Sequence, residues 1–301
     1  MEKNKTVQAT LAALFAQIIF GFSFMFTKIC LETASPFVVI ADRYLIAFLA
    51  LSIMMLFSKT KFRWKKGMGT LFLMTFFQPV CYFILETYGI RLTGSSFSAV
   101  MIAMIPVISM IGGIFFLGEI PSLLQYIFTG LSVGGVVVVT LSQSVDGVVT
   151  LPGFLCLLGA VLASVAYNIT SRSISKKFTP MERTYAMTGI GLIVFLGIAL
   201  VENQAEPMKI FCSFTSVSYT AGILYLGVVS SVLAFFFLNY ANTYLPVSKT
   251  TVFSNLTTVV SVVAGVFVLG ERFSLIAWLA TVLIIIGVLG AQLQKVGKTS
   301  I

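Results

Sequence analysis

One acidic residue, Glu86, stands inside the apolar stretch CYFILETYGI. An ionised carboxylate in hydrocarbon costs roughly 2.5–3.5 kcal/mol, so a residue found there is a candidate for binding. Its chemistry would be to hold the cationic part of a ligand, or a coupling proton. The alternative is an internal ion pair with Lys28 or Arg43, which lie near the ends of other apolar stretches. The two interpretations are compatible if a ligand displaces the internal cation.

Four other ionisable residues favour a structural interpretation. Lys28, Asp42 and Arg43 lie close to the ends of apolar blocks, where long basic side chains extend to the membrane interface. Asp42 and Arg43 are adjacent, so they project in different directions and need separate partners. Lys249 lies one turn after Pro246, and we expect it to reach lipid headgroups rather than to attract an anionic group.

The composition indicates where such residues are held. Of the 301 residues, 58% are hydrophobic and 10% are charged, whereas a soluble domain carries about a quarter charged residues. The apolar residues come in blocks of about 20, the length that spans a lipid bilayer. We therefore predict an all-α integral membrane protein. The four cysteines form no CxxC pair and histidine is absent, which argues against a metal site or a redox centre; no cofactor is expected.

Ten apolar blocks predict ten transmembrane helices. They run approximately over residues 7–31, 37–57, 68–90, 94–117, 121–142, 150–173, 180–201, 216–240, 246–269 and 273–293. A proline in the first turn, where its missing N–H costs nothing, marks several of the starts: Pro36, Pro121, Pro152, Pro180 and Pro246.

The positive charges predict an orientation. Most of the net charge of +9 lies in the amino terminus, in SKTKFRWKK, in SRSISKKFTPMER and in the carboxyl tail. Ten helices place all four segments on one side, which is the cytoplasm by the positive-inside rule. We therefore expect a multi-pass plasma-membrane protein with both termini in the cytoplasm, and we interpret the charge as a topology signal rather than as a nucleic-acid surface.

The chain also contains a repeat. GIFFLGEIPSL at 113–123 returns as GVFVLGERFSL at 265–275, with Glu119 and Glu271 152 residues apart. The same offset pairs Tyr88 with Tyr240 and Gly135 with Gly287, among others. Residues 1–143 and 144–301 would then be two five-helix units, and an odd helix number inverts one relative to the other. Inverted repeats of this kind are typical of transporters that work by alternating access.

These segments resemble the EamA family of the drug/metabolite transporter superfamily. The resemblance rests on FGFSFMFTKICLETASPFVVIADRYLIAF, on YGIRLTGSSFSAVMIAMIPVISMIGGIFFLGE, and on the echo YANTYLPVSKTTVFSNLTTVVSVVAGVFVLGE. It implies a 5+5 helix bundle whose central cavity is lined by helices 1, 3, 4, 6, 8 and 9, and the transport of small metabolites, often the export of amino acids. The family's tryptophan in the first helix is Phe20 here, and the proline of its ninth helix is Thr258.

On that arrangement, uncharged side chains are further candidates for contact with a transported molecule. The amides Gln17, Asn168, Asn239 and Asn255 and the aromatic residues Phe20, Tyr82 and Tyr167 all lie on the implied lining helices. Amides in membrane helices also hold helices together, at about 0.6 kcal/mol each, and a single ring is more often packing. Asn255 is the favoured ligand contact among the amides because it lies deeper in its helix.

Several other residues predict how the helices bend and meet. Pro79 and Pro106 lie inside predicted helices, which they should kink, either as gates or as fixed bends. The Gly130–Gly134 GxxxG motif, together with Gly135, predicts close helix approach, for which we favour internal packing over a dimer face. Glu119 and Glu271 each precede a helix, whose dipole a negative charge stabilises, so we interpret both as structural turns.

The sequence favours a secondary transporter over other classes of membrane protein. It has no GxxxxGK[ST] loop for nucleotide hydrolysis. A membrane enzyme would need clustered carboxylates or histidines, and the chain offers isolated Asp42 and Glu86. A non-transporting sensor or assembly subunit stays open as the alternative. The expectation is an exporter of small organic metabolites, amino acids or related compounds, with a proton as a candidate coupling ion.

Overall fold

The computed structural model describes residues 2–57, 66–93, 101–142, 150–204, 213–269 and 274–298, and almost all of these residues are helical. In chain order the helices are α1 (Glu2–Leu31), α2 (Pro36–Phe57), α3 (Met68–Thr75), α4 (Tyr82–Thr93), α5 (Ile105–Leu117), α6 (Leu123–Ser142), α7 (Leu151–Ser173), α8 (Pro180–Glu202), α9 (Val217–Leu224), α10 (Phe235–Tyr244), α11 (Val247–Val252), α12 (Asn255–Leu269) and α13 (Leu275–Leu293). A 3₁₀ turn, Ser213–Thr215, precedes α9.

Among the described residues, seven helical stretches are long and apolar enough to cross a membrane. They are Asn4–Leu31, Pro36–Phe57, Met68–Gly89, Leu151–Ser173, Pro180–Glu202, Val217–Tyr244 and Leu275–Leu293, with Ile105–Leu117 and Leu123–Val139 as shorter apolar helices. The prediction of an all-α chain with several membrane spans is confirmed. The count of ten and the inverted five-plus-five division stay predictions.

Local sequence explains where helices begin. Thr179 caps α8 through a reciprocal pair of hydrogen bonds with Glu182, and Pro180 supplies the first helical residue. Thr150 caps α7, because its side chain accepts from the backbone N–H of Gly153. The fifth predicted helix begins at Leu123 rather than at Pro121, because Glu119–Pro121 (β1) pairs in antiparallel fashion with Val296–Lys298 (β2).

Two of the long helices contain a wide π-helical segment. Phe76–Cys81 joins α3 to α4, and Tyr225–Ala234 joins α9 to α10. The 152-residue offset of the repeat places them at matching positions. In the first segment the helix is broken at Gln78 (φ −143°, ψ 120°), which precedes Pro79 across a cis bond. π-Helical turns leave backbone groups outside the regular ladder and are frequent at functional sites.

The fourth and ninth predicted helices are each interrupted rather than continuous. A turn at Ala103–Met104 precedes α5, so Pro106 is the second residue of a new helix. A turn at Phe253–Ser254 separates α11 from α12 without any proline, and Ser254 N–H donates to the Thr251 carbonyl at 2.9 Å. Proline is therefore not needed for the break in the second repeat.

Helices α6 and α13 meet at the glycines that the repeat pairs. A Cβ on Gly135 would lie 2.7 Å from Ile284, and a Cβ on Gly287 would lie 2.6 Å from the backbone of Ser132. By contrast, a Cβ on Gly130 or Gly134 would meet nothing within 4 Å. Of the three glycines predicted to permit close helix approach, Gly135 makes the internal contact, and Gly130 and Gly134 do not take part in it.

Candidate functional site

Arg43 is buried in the interior, with an exposed fraction of 7%. Its Nε donates to Ser231 Oγ at 2.5 Å and its Nη2 donates to Ser230 Oγ at 2.9 Å. The guanidinium also lies over the ring of Phe83, 5.4 Å from its centre. The expectation that Arg43 extends to the membrane interface is therefore wrong, because its guanidinium forms hydrogen bonds with two buried serines of the π-helical segment.

The two serines are presented by the π-helical segment Tyr225–Ala234, next to α1. Ser23 Oγ of α1 lies 2.8 Å from Ser230 Oγ. The Tyr225 hydroxyl donates to the Ile19 carbonyl at 3.0 Å. Hydroxyl pairs and a buried guanidinium thus join α1, α2 and this segment at one place.

Glu86 lies beside this place. The Tyr82 hydroxyl, one helical turn earlier in α4, donates to Glu86 Oε1 at 2.8 Å. Phe83, whose ring Arg43 contacts, precedes Glu86 by three residues in α4, and Glu86 keeps part of its surface accessible. Three predicted residues, Arg43, Tyr82 and Glu86, thus lie on neighbouring parts of α2 and α4, and they include one basic and one acidic side chain.

The predicted aromatic residues Phe20 and Tyr167 lie in a packed cluster. Both contact Phe235 edge to face, with ring centres 5.1 Å and 6.5 Å apart, and Tyr167 has an exposed fraction of 0%. Gln17, three residues before Phe20, accepts from Thr257 of α12 at 2.8 Å. These contacts hold α1 against α7, α10 and α12.

Asn239 lies at the centre of a second polar cluster, which is organised by Arg183. Arg183 has an exposed fraction of 0%, and it donates to the Ser171 carbonyl and hydroxyl at 2.8 and 2.7 Å, to the Asn239 carbonyl at 2.6 Å, and to the Thr243 hydroxyl. The Asn239 amide accepts from Tyr167 and Ser171. Arg183, interpreted from sequence as a loop cation, instead binds the last turn of α10.

Asn168 belongs to the same cluster. It accepts from the Asn242 amide at 3.0 Å and donates to the Ser164 carbonyl at 2.9 Å. Arg172 donates to the carbonyls of Asn242 and Thr243 at 3.1 and 2.6 Å. The carbonyls at the end of a helix lack partners within that helix. Here Arg183 donates to such a carbonyl at the end of α7, and Arg172 donates to two at the end of α10.

The remaining predicted residues lie apart from both clusters. Asn255, with an exposed fraction of 2%, donates to Ser132 of α6 at 2.9 Å. Lys249 donates to the carbonyl of Gln292 at the end of α13, at 2.7 Å; the expectation that it reaches headgroups is wrong, because helix carbonyls are nearer. Lys28 is exposed near the end of α1, as expected of a lysine there.

Glu119 has a structural role, but with a different helix from the one predicted. Its carboxylate accepts from the backbone N–H groups of Val247 and Ser248 at 2.9 and 3.3 Å. It therefore caps α11, in the other repeat, rather than the helix that follows it. Glu271 lies outside the described residues.

Asp42 is also buried, with an exposed fraction of 1%, and it accepts from the Tyr219 hydroxyl at 2.6 Å. Asp42 and Arg43 thus have separate partners, as their adjacency in the sequence predicts. Sequence reasoning missed Ser23, Ser230 and Tyr219 as partners. The one available signal was the adjacent Ser230–Ser231 pair inside the otherwise apolar run LGVVSSVLAFFF. Among the described residues, no group of three acidic or cysteine side chains is placed to hold a metal ion.

Comparisons with known proteins bear on the whole chain. The model of the EamA-like transporter family matches residues 8–141 and again residues 151–292. The chain is 33% identical to the uncharacterized transporter YcxC of Bacillus subtilis, over 99% of this chain and 97% of that protein. It is 24% identical to the uncharacterized transporter YetK of the same organism, over 98% and 89% of the two chains. A crystal structure shares the fold at 16% identity, with a TM-score of 0.79 over 95% of this chain and 98% of the other.

Proposed function

Since the chain belongs to the EamA-like transporter family, we propose that it is a secondary transporter that exports small organic metabolites, amino acids first among them. The observation that carries this proposal is the position of the buried Arg43 guanidinium, which Ser230 and Ser231 hold over Phe83 of α4, the helix that also carries Tyr82 and Glu86. A cation and an acid on neighbouring helices are complementary to a molecule that carries both an anionic and a cationic group.

The two charges have different roles in this proposal. The Arg43 guanidinium binds the carboxylate, exchanging one or both serine hydroxyls for charged oxygens, which make stronger hydrogen bonds. Glu86 binds the ammonium group, and Tyr82 fixes the position of the Glu86 carboxylate. In the empty site the two charges attract each other, so neither is left without compensation.

Transport proceeds by alternating access between the two repeats, which we propose are inverted five-helix units in the plasma membrane with both termini in the cytoplasm. The cap that Glu119 places on α11 then closes the cytoplasmic end, because it joins the first repeat to the second. Impermeant labelling of single cysteines in the Glu119 and Glu271 turns tests the inversion. The two turns should react from opposite sides, and labelling of both from one side rules the inversion out.

The transport site is tested with Glu86→Gln. A thermal-shift screen of amino acids against the purified protein identifies a transported probe, and flux of that probe is measured in proteoliposomes. We expect Glu86→Gln to lower flux at least about tenfold, the equivalent of about 1.4 kcal/mol, with unchanged insertion and thermal stability. Glu202→Gln, at an exposed position at the end of α8, is the matched control and should transport normally. Equal flux for Glu86→Gln and wild type would falsify the assignment.

A further inference from the structure

Asp42 is a second buried acid, set in a different environment from Glu86. Its neighbourhood is the apolar cluster that includes Cys30, Val39 and Ile223. Its carboxylate accepts from the Tyr219 hydroxyl of α9 at 2.6 Å. Arg43, the next residue, turns instead to the π-helical segment, so its guanidinium is used elsewhere.

The other buried acids among the described residues accept more hydrogen bonds than Asp42 does. Glu119 accepts from two backbone N–H groups and from the Ser248 hydroxyl. Glu182 accepts from the backbone and hydroxyl of Thr179. Within the described residues, Asp42 has a single, uncharged donor. A carboxylate with several unused lone pairs in an apolar environment is costly when ionised and much less costly when protonated.

The titratable groups that face Asp42 do not compensate its charge. They are the Cys30 thiol of α1 and the Tyr219 phenol of α9, and both are neutral donors at physiological pH. The groups that face Arg43 are Tyr44, Glu86 and Tyr225. The two adjacent residues of α2 therefore have different surroundings: the titratable groups that face Asp42 are uncharged, and those that face Arg43 include the acidic side chain of Glu86.

We propose that Asp42 is the binding site of the coupling proton, an inference that rests on the proposed transport function. When the outer end of the bundle is open, a hydronium ion of the outer solution gives its proton to the Asp42 carboxylate: one O–H bond of hydronium breaks, a carboxyl O–H bond forms and water is left. The neutral acid can then be buried against Tyr219, which brings α9 onto α2 and closes that end. In the opposite state the same O–H bond breaks and the proton leaves to the cytoplasm.

The adjacency of Asp42 and Arg43 explains how the proton and the substrate would be coupled. Both residues are carried by α2, so separation of α9 from α2 at Asp42 also opens the place beside Ser230 and Ser231 where Arg43 holds the substrate carboxylate. Substrate release and proton uptake would then accompany a single movement of one helix, with one proton exchanged for each substrate molecule.

A proton-binding test needs no substrate. Infrared difference spectra of the purified protein are recorded as the pH is raised, and they follow the C=O band of protonated carboxyl groups. We expect a component of this band to titrate in wild type and in Glu86→Gln, and to be missing in Asp42→Asn. Tyr219→Phe keeps the carboxyl group but removes its donor, so the band should persist at a shifted frequency. An unchanged band in Asp42→Asn overturns the proposal. If Asp42→Asn does not fold, an unshifted band in Tyr219→Phe overturns it instead.

A transport test separates this proposal from the proposed function. Its probe is the amino acid with the largest thermal shift. A pH gradient should accelerate wild-type and Tyr219→Phe flux several-fold and leave Asp42→Asn flux unchanged, while Asp42→Asn still exchanges labelled for unlabelled probe at equal pH. Gradient-driven flux in Asp42→Asn, or no effect of the gradient on wild type, overturns the role of Asp42. No exchange of any amino acid by wild type overturns the proposed function.

Discussion

Arg43 and Arg183 are both arginines buried in apolar helices, with exposed fractions of 7% and 0%, but their partners differ in kind. Arg183 donates to the carbonyls of Ser171 and Asn239 and to two hydroxyls. Carbonyls are fixed by the backbone, and that of Ser171 lies in the last turn of α7, where helix carbonyls lack a partner within the helix. The Asn239 carbonyl also accepts from the Thr243 hydroxyl. Arg183 therefore holds α7, α8 and α10 together through backbone groups whose positions the helices fix.

Arg43 has partners that can be replaced. Both are serine hydroxyls, which rotate and can bond elsewhere, and within the described residues its Nη1 has no hydrogen-bond partner. Burial alone thus does not distinguish the two arginines, and the class of acceptor does. Fixed carbonyls indicate a structural role for Arg183, and the rotatable hydroxyls around Arg43 are compatible with the binding role that we propose for it.

The largest effect should come from Arg183→Met. It takes the arginine donor from the buried Ser171 carbonyl and one of two side-chain donors from the Asn239 carbonyl, so we expect a loss of about 3 kcal/mol in the free energy of unfolding. Unfolding of the purified protein in detergent, monitored by circular dichroism, measures this. The free energy of unfolding of Arg183→Lys should lie between those of Arg183→Met and wild type, because one ammonium group cannot reproduce the planar arrangement of donors on a guanidinium. Wild-type stability in Arg183→Met would remove the distinction between the two arginines.

Arg43→Met should instead affect transport. Loss of a charge-assisted contact with a carboxylate is worth about 1.5–3 kcal/mol, so we expect flux of the amino-acid probe to fall by about tenfold or more. The stability of the empty protein should change by less than about 1 kcal/mol, since Met packs against Phe83 and the two serines can bond to Ser23 and to the backbone. Arg43→Lys keeps the charge and should retain part of the flux. A collapse in stability with normal flux per folded molecule would place Arg43 in the same class as Arg183.

The sequence predicted the helices well and the partners of charged residues poorly. Apolar block length and first-turn prolines located helices such as Pro36–Phe57 and Pro180–Glu202 to within a residue or two, because these signals are local. Pro106 predicted a kink in the fourth helix, and the structure has a turn just before it, at Ala103–Met104. The break at Phe253–Ser254 was not predicted, since no proline signals it.

Charged residues near helix ends were the main source of error. Arg43 and Lys249 were expected at the interface because their distance from a helix end is visible in the sequence. Their actual partners are Ser230 and Ser231 for Arg43 and the carbonyl of Gln292 for Lys249, and they lie 43 to 188 residues away in the chain. Such partners depend on which helices pack together, which no local pattern encodes. The hydrogen bond between Tyr82 and Glu86 could have been predicted from the sequence, because the two residues are one helical turn apart.

The smallest effects should come from removing one hydroxyl beside each arginine. Ser171 and Ser231 both have an exposed fraction of 0%. Ser171→Ala removes a hydroxyl acceptor of Arg183 and Ser231→Ala removes one of Arg43, so each should cost about 1 kcal/mol in the free energy of unfolding. The two losses should respond differently to saturation with the amino-acid probe. A substrate carboxylate can take the place of the Ser231 hydroxyl on Arg43, so the deficit of Ser231→Ala should shrink when the probe is bound.

The deficit of Ser171→Ala should be the same with and without the probe, because Arg183 contacts only protein groups in the proposed cycle. Thermal unfolding of both variants at zero and saturating probe measures the difference. An equal response in the two variants would mean that the Ser231 hydroxyl is as fixed a partner as the carbonyls around Arg183. Arg43 would then be held for structure, and the binding of an anionic group would have to be sought elsewhere in the bundle.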